Sequence, residues 1–217
     1  FKDANNPSNK EVRVFTVTHE IQPDPGPGID KPKCIAQGDH WFETADACKP
    51  SGNVGNPIPG KATSAVVKSN GAISFNSNAH FKGGVAVDNG DFATNASLEL
   101  TPDGSDVLIT GNIEFAPAHA GKTVDIILAV SYQVGGPFGP TFWFTYGEGF
   151  VGWSGAPADL GTFQEHTIVK DENLPITVFD GVFAEGVTPG TIGVYFGYRL
   201  DNGEVHFNGK PLTLYMQ

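Results

Sequence analysis

The stretch that decides the fold is the last one, Thr191 to Gln217, TIGVYFGYRLDNGEVHFNGKPLTLYMQ. Ile192, Val194, Phe196, Tyr198 and Leu200 alternate with Gly193, Tyr195, Gly197 and Arg199, a period of two that sets one apolar row on one face of a strand. Asp201-Asn202-Gly203 supplies residues that tolerate positive φ, as a tight hairpin turn requires. Val205 and Phe207 resume the alternation, Asn208-Gly209 turns the chain again, and Leu212, Leu214 and Met216 carry it to the end. A hairpin followed by a closing strand therefore predicts an antiparallel β architecture, with this hairpin as the finished edge of its sheet or the slot beside which another strand must fit.

Working outward, short β-rich runs recur at 66–67, 72–75, 84–87, 97–100, 106–110, 113–115, 124–132, 141–146, 166–169 and 175–179. Turn dipeptides fall between many of them: Asn70-Gly71, Asn89-Gly90, Asp103-Gly104, Gly111-Asn112 and Asp180-Gly181. Strands spaced about ten residues apart with such punctuation indicate an antiparallel Greek-key β-sandwich, of jelly-roll or immunoglobulin-like type. Val124–Tyr132 is the most apolar run and the expected central strand. Gly 28 and Pro 16 make up about a fifth of the 217 residues, yet Phe 16, Tyr 5 and Trp 3 supply the aromatics a disordered chain lacks.

The first 62 residues read differently. FKDANNPSNK is a polar arm that we expect to dock on a neighbouring subunit, and Glu11–Thr18 (EVRVFTVT) reads as a strand with Val12 and Val14 on one face and Phe15 and Val17 on the other. Residues 21–62 are Pro- and Gly-rich and read as irregular, with at most one helical turn at Asp46-Ala47-Cys48. Cys34 and Cys48, the only cysteines, are expected to staple this loop as a disulfide, which implies an oxidising compartment. The organisation expected is thus arm and strand (1–20), stapled loop (21–62) and β body (63–217), in one compact unit. Phe1 in place of an initiator methionine reads as a processed, secreted chain.

Charge narrows the partners. Residues 1–80 hold eight Lys/Arg and eight Asp/Glu, whereas 81–217 hold five and sixteen, so the body carries the whole net charge of -11. Such a body is a poor partner for nucleic acid, which needs clustered Lys and Arg. No run of 18 apolar residues is present, so no membrane-spanning helix is expected.

No reaction is legible. Ser154 in GWSGA misses the GxSxG elbow, the six histidines are scattered, and no P-loop or dinucleotide fingerprint occurs. A non-enzyme is therefore the expectation. Asp39, His40 and Glu43 suit a divalent metal by type, but their spacing reads more plainly as a solvated loop. Calcium is the one ion the acidic turns suit, at Asp88, Asp91, Asp103 and Asp106, although Asx-Gly sequences are also ordinary hairpin chemistry. The aromatic stretch Phe138–Trp153 offers Trp143, Tyr146 and Trp153 as a stacking surface for sugar rings, with core packing as the plainer alternative.

The segments ITGNIEFAPAHAGKTVDIILAVSY (109–132) and VYFGYRLDNGEVHFNGKPLTL (194–214) resemble β-sandwich modules of immunoglobulin-like type in large secreted or surface-displayed bacterial proteins. The resemblance covers residues 81–217, carries no functional residues across, and implies an extracellular, non-catalytic module. The function expected is a secreted structural subunit that self-assembles into a filament or surface layer, Glu11–Thr18 adding to a neighbour's sheet. The alternative is a carbohydrate-binding or adhesion module that reads surface glycans through its aromatics.

Overall fold

The computed structural model describes residues 64–68, 71–75, 77–88, 90–147 and 149–217, with the backbone of 40–42 and 47–49. The polar arm, the strand bearing Val12, Val14, Phe15 and Val17, and Cys34 lie outside the described residues, as do Asp39 and Glu43. What is described is all-β, in antiparallel sheets stacked as two layers.

Within the expected loop, His40–Phe42 (β1) pairs antiparallel with Ala47–Lys49 (β2), Trp41 opposite Cys48. Ala47–Lys49 is thus a strand, and the helical turn expected there is corrected. Trp41 and Phe42 are strong β-formers, and the pairing they favour outweighs the turn signals around them.

The large sheet is built on two long strands, Thr123–Val134 (β8) and Gly190–Arg199 (β13), paired from Asp125↔Arg199 to Val134↔Gly190. Their other edges are each shared by two shorter strands. Beside β8 run Thr162–Thr167 (β11) along its first half and Thr141–Tyr146 (β9) along its second, with Phe150–Gly152 (β10) beyond β9. Beside β13 run Leu212–Met216 (β15) along Gly190–Val194 and Val205–Asn208 (β14) along Gly197–Arg199. Ser64–Val67 (β3) and Ile73–Ser74 (β4) extend the sheet from β14, and Asn95–Leu98 (β6) pairs parallel with β15. The second layer has three strands: Asn173–Phe183 (β12), Ser105–Glu114 (β7) and His80–Val87 (β5), with β7 in the middle.

Alternation on β13 proceeds as the sequence predicts. Val194, Phe196, Tyr198 and Leu200 are buried between the layers with Ile126 and Leu128 of β8, Ile109 and Ile113 of β7, and Leu212, Leu214 and Met216 of β15. Each large side chain fully buried in this way contributes about 1.5–3 kcal/mol of transfer free energy. The hairpin is not the edge of the sheet: β13 lies at the centre, and β15 carries β6 on its far side. Val124–Tyr132 is central, as expected.

Two predicted turns are absent. β7 runs unbroken through Gly111-Asn112, and β12 through Asp180-Gly181, which pair with Leu108 and Val107. Gly111 serves packing rather than turning. A Cβ there would sit 2.8 Å from the Phe196 ring and 3.0 Å from Ile176 Cγ1, so only glycine lets the layers close at that point.

One junction is held by a side chain. Between Val194, where β15 stops pairing, and Gly197, where β14 starts, β13 has no facing strand on that edge. Asn208 fills the gap: the Phe196 N–H donates to its Oδ1 (2.6 Å), and its Nδ2 donates to Val194 O (3.1 Å) and Lys210 O (2.9 Å). Asn208 is fully buried. Its amide replaces the missing ladder, which a turn-forming Asn-Gly dipeptide does not announce.

Candidate functional site

The two layers are closed along one side and open along the other. On the closed side, Val85 of β5 exchanges backbone hydrogen bonds with Ala93 (2.8 and 3.0 Å), and the chain goes directly into β6 of the large sheet. On the open side, β12 pairs with β7 alone and β10 with β9 alone among the described residues. Between them lies an apolar cleft of about 280 Å³. Val178, Phe179 and Phe183 of β12 form one wall, Phe144 and Phe150 of β9 and β10 the other, and Tyr132, Ile192 and Val194 line it from the sheet between. Phe179 and Phe183 lean together with centroids 4.9 Å apart. Their spacing of four, with a bulge between Thr177 and Phe179, keeps both rings on the cleft side. The Tyr132 O–H donates to Thr188 O, and burial pushes its pKa above the ordinary phenol value. The eleven-residue strand β12 runs beside the cleft.

A second concavity, about 320 Å³, lies on the outer face of the large sheet. Ile127, Ala129, Tyr195, Val205 and Phe207 floor it, Trp143 and Ile73 flank it, and the loop with Trp153, Pro157 and Leu160 walls it. Trp143 packs edge-on against Trp153 (5.8 Å) and tilted against Tyr195 (5.8 Å). The loop is clamped to the sheet by Arg199, which donates to Asp125 Oδ2 (2.7 and 3.2 Å) and Leu160 O (2.8 Å). Within the loop, Trp153 Nε1–H donates to Ala156 O (2.8 Å), and Ser154 Oγ accepts from Ala156 N–H (3.1 Å) while donating to Asp159. Ser154 is therefore a turn residue. Tyr146 does not join Trp143 and Trp153: it packs on Phe150 and Phe163, against the main core.

Among the acidic turn residues, Asp88 adopts φ 44°, accepts the Asp106 N–H on Oδ1 (2.9 Å) and donates its own N–H to Asp106 O (2.9 Å). That pairing ties the end of β5 to the start of β7. No group of three or more His, Cys, Asp or Glu able to hold a metal is found among the described residues, so Asp88, Asp91, Asp103 and Asp106 are not brought together as one calcium site.

A polar cluster escapes sequence reading altogether. His206 of β14 faces inward, its Nδ1 2.8 Å from Ser77 Oγ and its Nε2 2.9 Å from Glu204 Oε1. Its ring stacks on Tyr198 (4.9 Å, 4°) and meets His119 edge-on (4.8 Å, 72°). His119 Nδ1 lies 2.9 Å from the Tyr198 hydroxyl, which accepts the Ala116 N–H (3.4 Å). Burial is the main cause that lowers both histidine pKa values from the ordinary range, and it pushes the Tyr198 hydroxyl far above its own. Glu204 and His206 stand two apart on one strand face, a spacing visible in the sequence; Ser77, 129 positions away from His206, is not. The hydrogen-bond order Ser77–His206–Glu204 follows that of a nucleophile, base and carboxylate. Ser77 Oγ, however, also accepts the Ala79 N–H (3.0 Å), and His206 is walled in by two rings.

Comparison with protein-family models, with curated proteins and with solved structures found no match.

Proposed function

We propose that the protein is an extracellular structural subunit that joins other copies of itself by strand addition at the open side of the two-layer body. The observation that carries this reading is the edge of β12 that no described strand pairs, beside a cleft lined by Phe144, Phe150, Phe179 and Phe183. An added strand gains main-chain hydrogen bonds from β12 and buries alternate side chains in the cleft. The donor is Glu11–Thr18, with Phe15 and Val17 on one face and Val12 and Val14 on the other. Sixty-three residues precede Ser64, where the chain enters β3. β3 stands five strand positions from β10 in the large sheet, roughly 24 Å at about 4.8 Å per strand. Ser64 and the acceptor cleft thus sit toward opposite edges, and a donor that enters a neighbour's cleft makes a head-to-tail contact of the kind that propagates instead of closing.

The test is light scattering on the full chain, on a chain lacking residues 1–20, and on Phe183→Asp, which puts a carboxylate into the cleft. Both altered chains should be monomeric, and mixing them should give a heterodimer that grows no further, since one retains the cleft and the other the donor. A monomeric full chain whose cleft becomes accessible to an apolar dye only after arm deletion would mean that the strand fills its own cleft, and assembly would be abandoned.

A second reading rests on the outer groove, where Trp143, Trp153 and Tyr195 offer ring faces of the kind that stack on sugars. Binding to a glycan array that is lost in Trp143→Ala would favour an adhesion module over a purely structural subunit.

A further inference from the structure

The histidine cluster joins parts of the molecule that nothing else ties so closely. His119 stands on the turn Pro117–His119 between β7 and β8, Tyr198 on β13, His206 and Glu204 on and just before β14, and Ser77 on the strap between β4 and β5. β14 in turn carries β3 and β4, the outermost strands on that side. We propose that this cluster is an acid-released latch: protonation of His119 and His206 unfastens the strap and the β14–β3–β4 edge from the turn between the layers, while the rest of the body stays folded.

The hydrogen-bond directions make the neutral rings necessary. Glu204 is an acceptor, so His206 carries its proton on Nε2 and takes the Ser77 hydroxyl proton on Nδ1. With His119 protonated on Nε2, the Tyr198 hydroxyl donates to its Nδ1 while accepting the Ala116 N–H. A proton added to either Nδ1 sets N–H against O–H. The hydroxyl proton must then turn away from the ring nitrogen.

Charge acts in the same direction. With ring centroids 4.8 Å apart, two imidazolium ions would face each other with Glu204 as the carboxylate in contact, its side chain 29% exposed. Lys122, at the entry to β8, adds a further positive charge on the His119 side. His166, stacked on the far face of the Phe115 group, is already paired with Glu172 (2.9 Å) and brings no free carboxylate. Burial lowers the pKa of both latch histidines, and their mutual repulsion adds to this at His206, while Glu204 opposes it. Protonation therefore costs free energy in the closed state that the open state recovers.

Hydrogen exchange on the full chain, corrected for intrinsic rates, tests the latch between pH 7.5 and 5. Amides of β3 and β14 should lose about tenfold or more of their protection as the pH falls, while those of the β7–β12 pair hold theirs. His119→Gln removes one cation at a half-exposed position, so the loss should be smaller and occur at lower pH. In the same samples, ring-proton NMR should show His206 titrating below a free histidine. Equal loss across both layers, unchanged protection throughout, a His206 that titrates normally, or a His119→Gln profile identical to wild type would each overturn the proposal.

Discussion

Asn208 joins three backbone groups at the junction of β13, β14 and β15. Replacing it with Ala leaves the Phe196 N–H without a partner in a fully buried gap between β14 and β15 and takes one donor from the Val194 carbonyl, which still faces Leu212. A buried polar group deprived of its partner costs about 1–3 kcal/mol, so the orphaned Phe196 N–H alone should cost about that much. Whole-domain stability is about 5–15 kcal/mol, which makes this a large fraction of it. Asn208→Asp separates hydrogen bonding from shape. It retains an acceptor for the Phe196 N–H but turns a carboxylate toward Val194 O and Lys210 O, so at neutral pH it should be worse than Ala and should recover partly on acidification. Urea unfolding followed by tryptophan fluorescence measures both, and each kcal/mol should also lower Tm by about 2–4 °C for a chain of this size. A cost below about 1 kcal/mol for Ala, or an Asp variant as stable as Ala at pH 7, would refute the claim that this side chain completes the ladder.

Other expectations follow from single contacts. Gly197→Ala should cost more than about 2 kcal/mol by thermal melting, because its Cβ would fall 1.9 Å from His206 O and 2.7 Å from Phe207 Cα, backbone atoms that cannot give way. Gly111→Ala, which meets only the Phe196 ring and Ile176, should cost about 1–3 kcal/mol. Arg199→Met should cost about 2 kcal/mol and shift Trp153 emission to the red, since the loop loses its clamp on Asp125 and Leu160 O. Stability should depend on pH at both ends. His119 and His206 bind protons less readily folded than unfolded, so their contribution is whole above the unfolded histidine value of 6.5 and is lost as the pH falls below it. Tyr132, Tyr195 and Tyr198 hold their protons more tightly folded, so stability should also fall as the pH rises past 10, with these three residues ionising mainly as the chain unfolds. A stability profile flat from pH 5 to 11 would contradict both limbs.

What could be read from the sequence was what depends on neighbours two residues apart. The inward row Val194, Phe196, Tyr198 and Leu200 and the apolar run Val124–Tyr132 identify themselves because burial on one face imposes a period of two. Gly111-Asn112 and Asp180-Gly181 misled because a glycine needed for close approach is written with the same letter as one needed for a turn. Sheet position was illegible for a related reason: alternation says that β13 has an inner face, not that β8 covers one edge while β14 and β15 divide the other. Of the aromatic candidates, Trp143 and Trp153 meet on the outer face, and Tyr146 turns into the core, because β9 alternates and Tyr146 stands an odd number of residues from Trp143 on the same strand. The latch was hidden because Ser77, His119 and His206 come together only through tertiary packing.

The three features meet on one strand. Within six residues of β13, Val194 lines the open cleft, Tyr195 floors the outer groove, Phe196 fills the core and binds Asn208, Tyr198 anchors the histidines, and Arg199 clamps the groove loop. Perturbations there should not add as distant sites do. Asn208→Ala frees the junction at which β14 and β15 part, and β14 carries His206. The latch should therefore open at higher pH in that background, and combining it with His119→Gln should give less than the sum of the separate losses at pH 5.5. Phe183→Asp, on β12 across the cleft, should by contrast combine additively with His119→Gln. If the Asn208 and His119 substitutions also added within error, the central strand would be a passive support, and cleft and latch would have to be treated as separate devices.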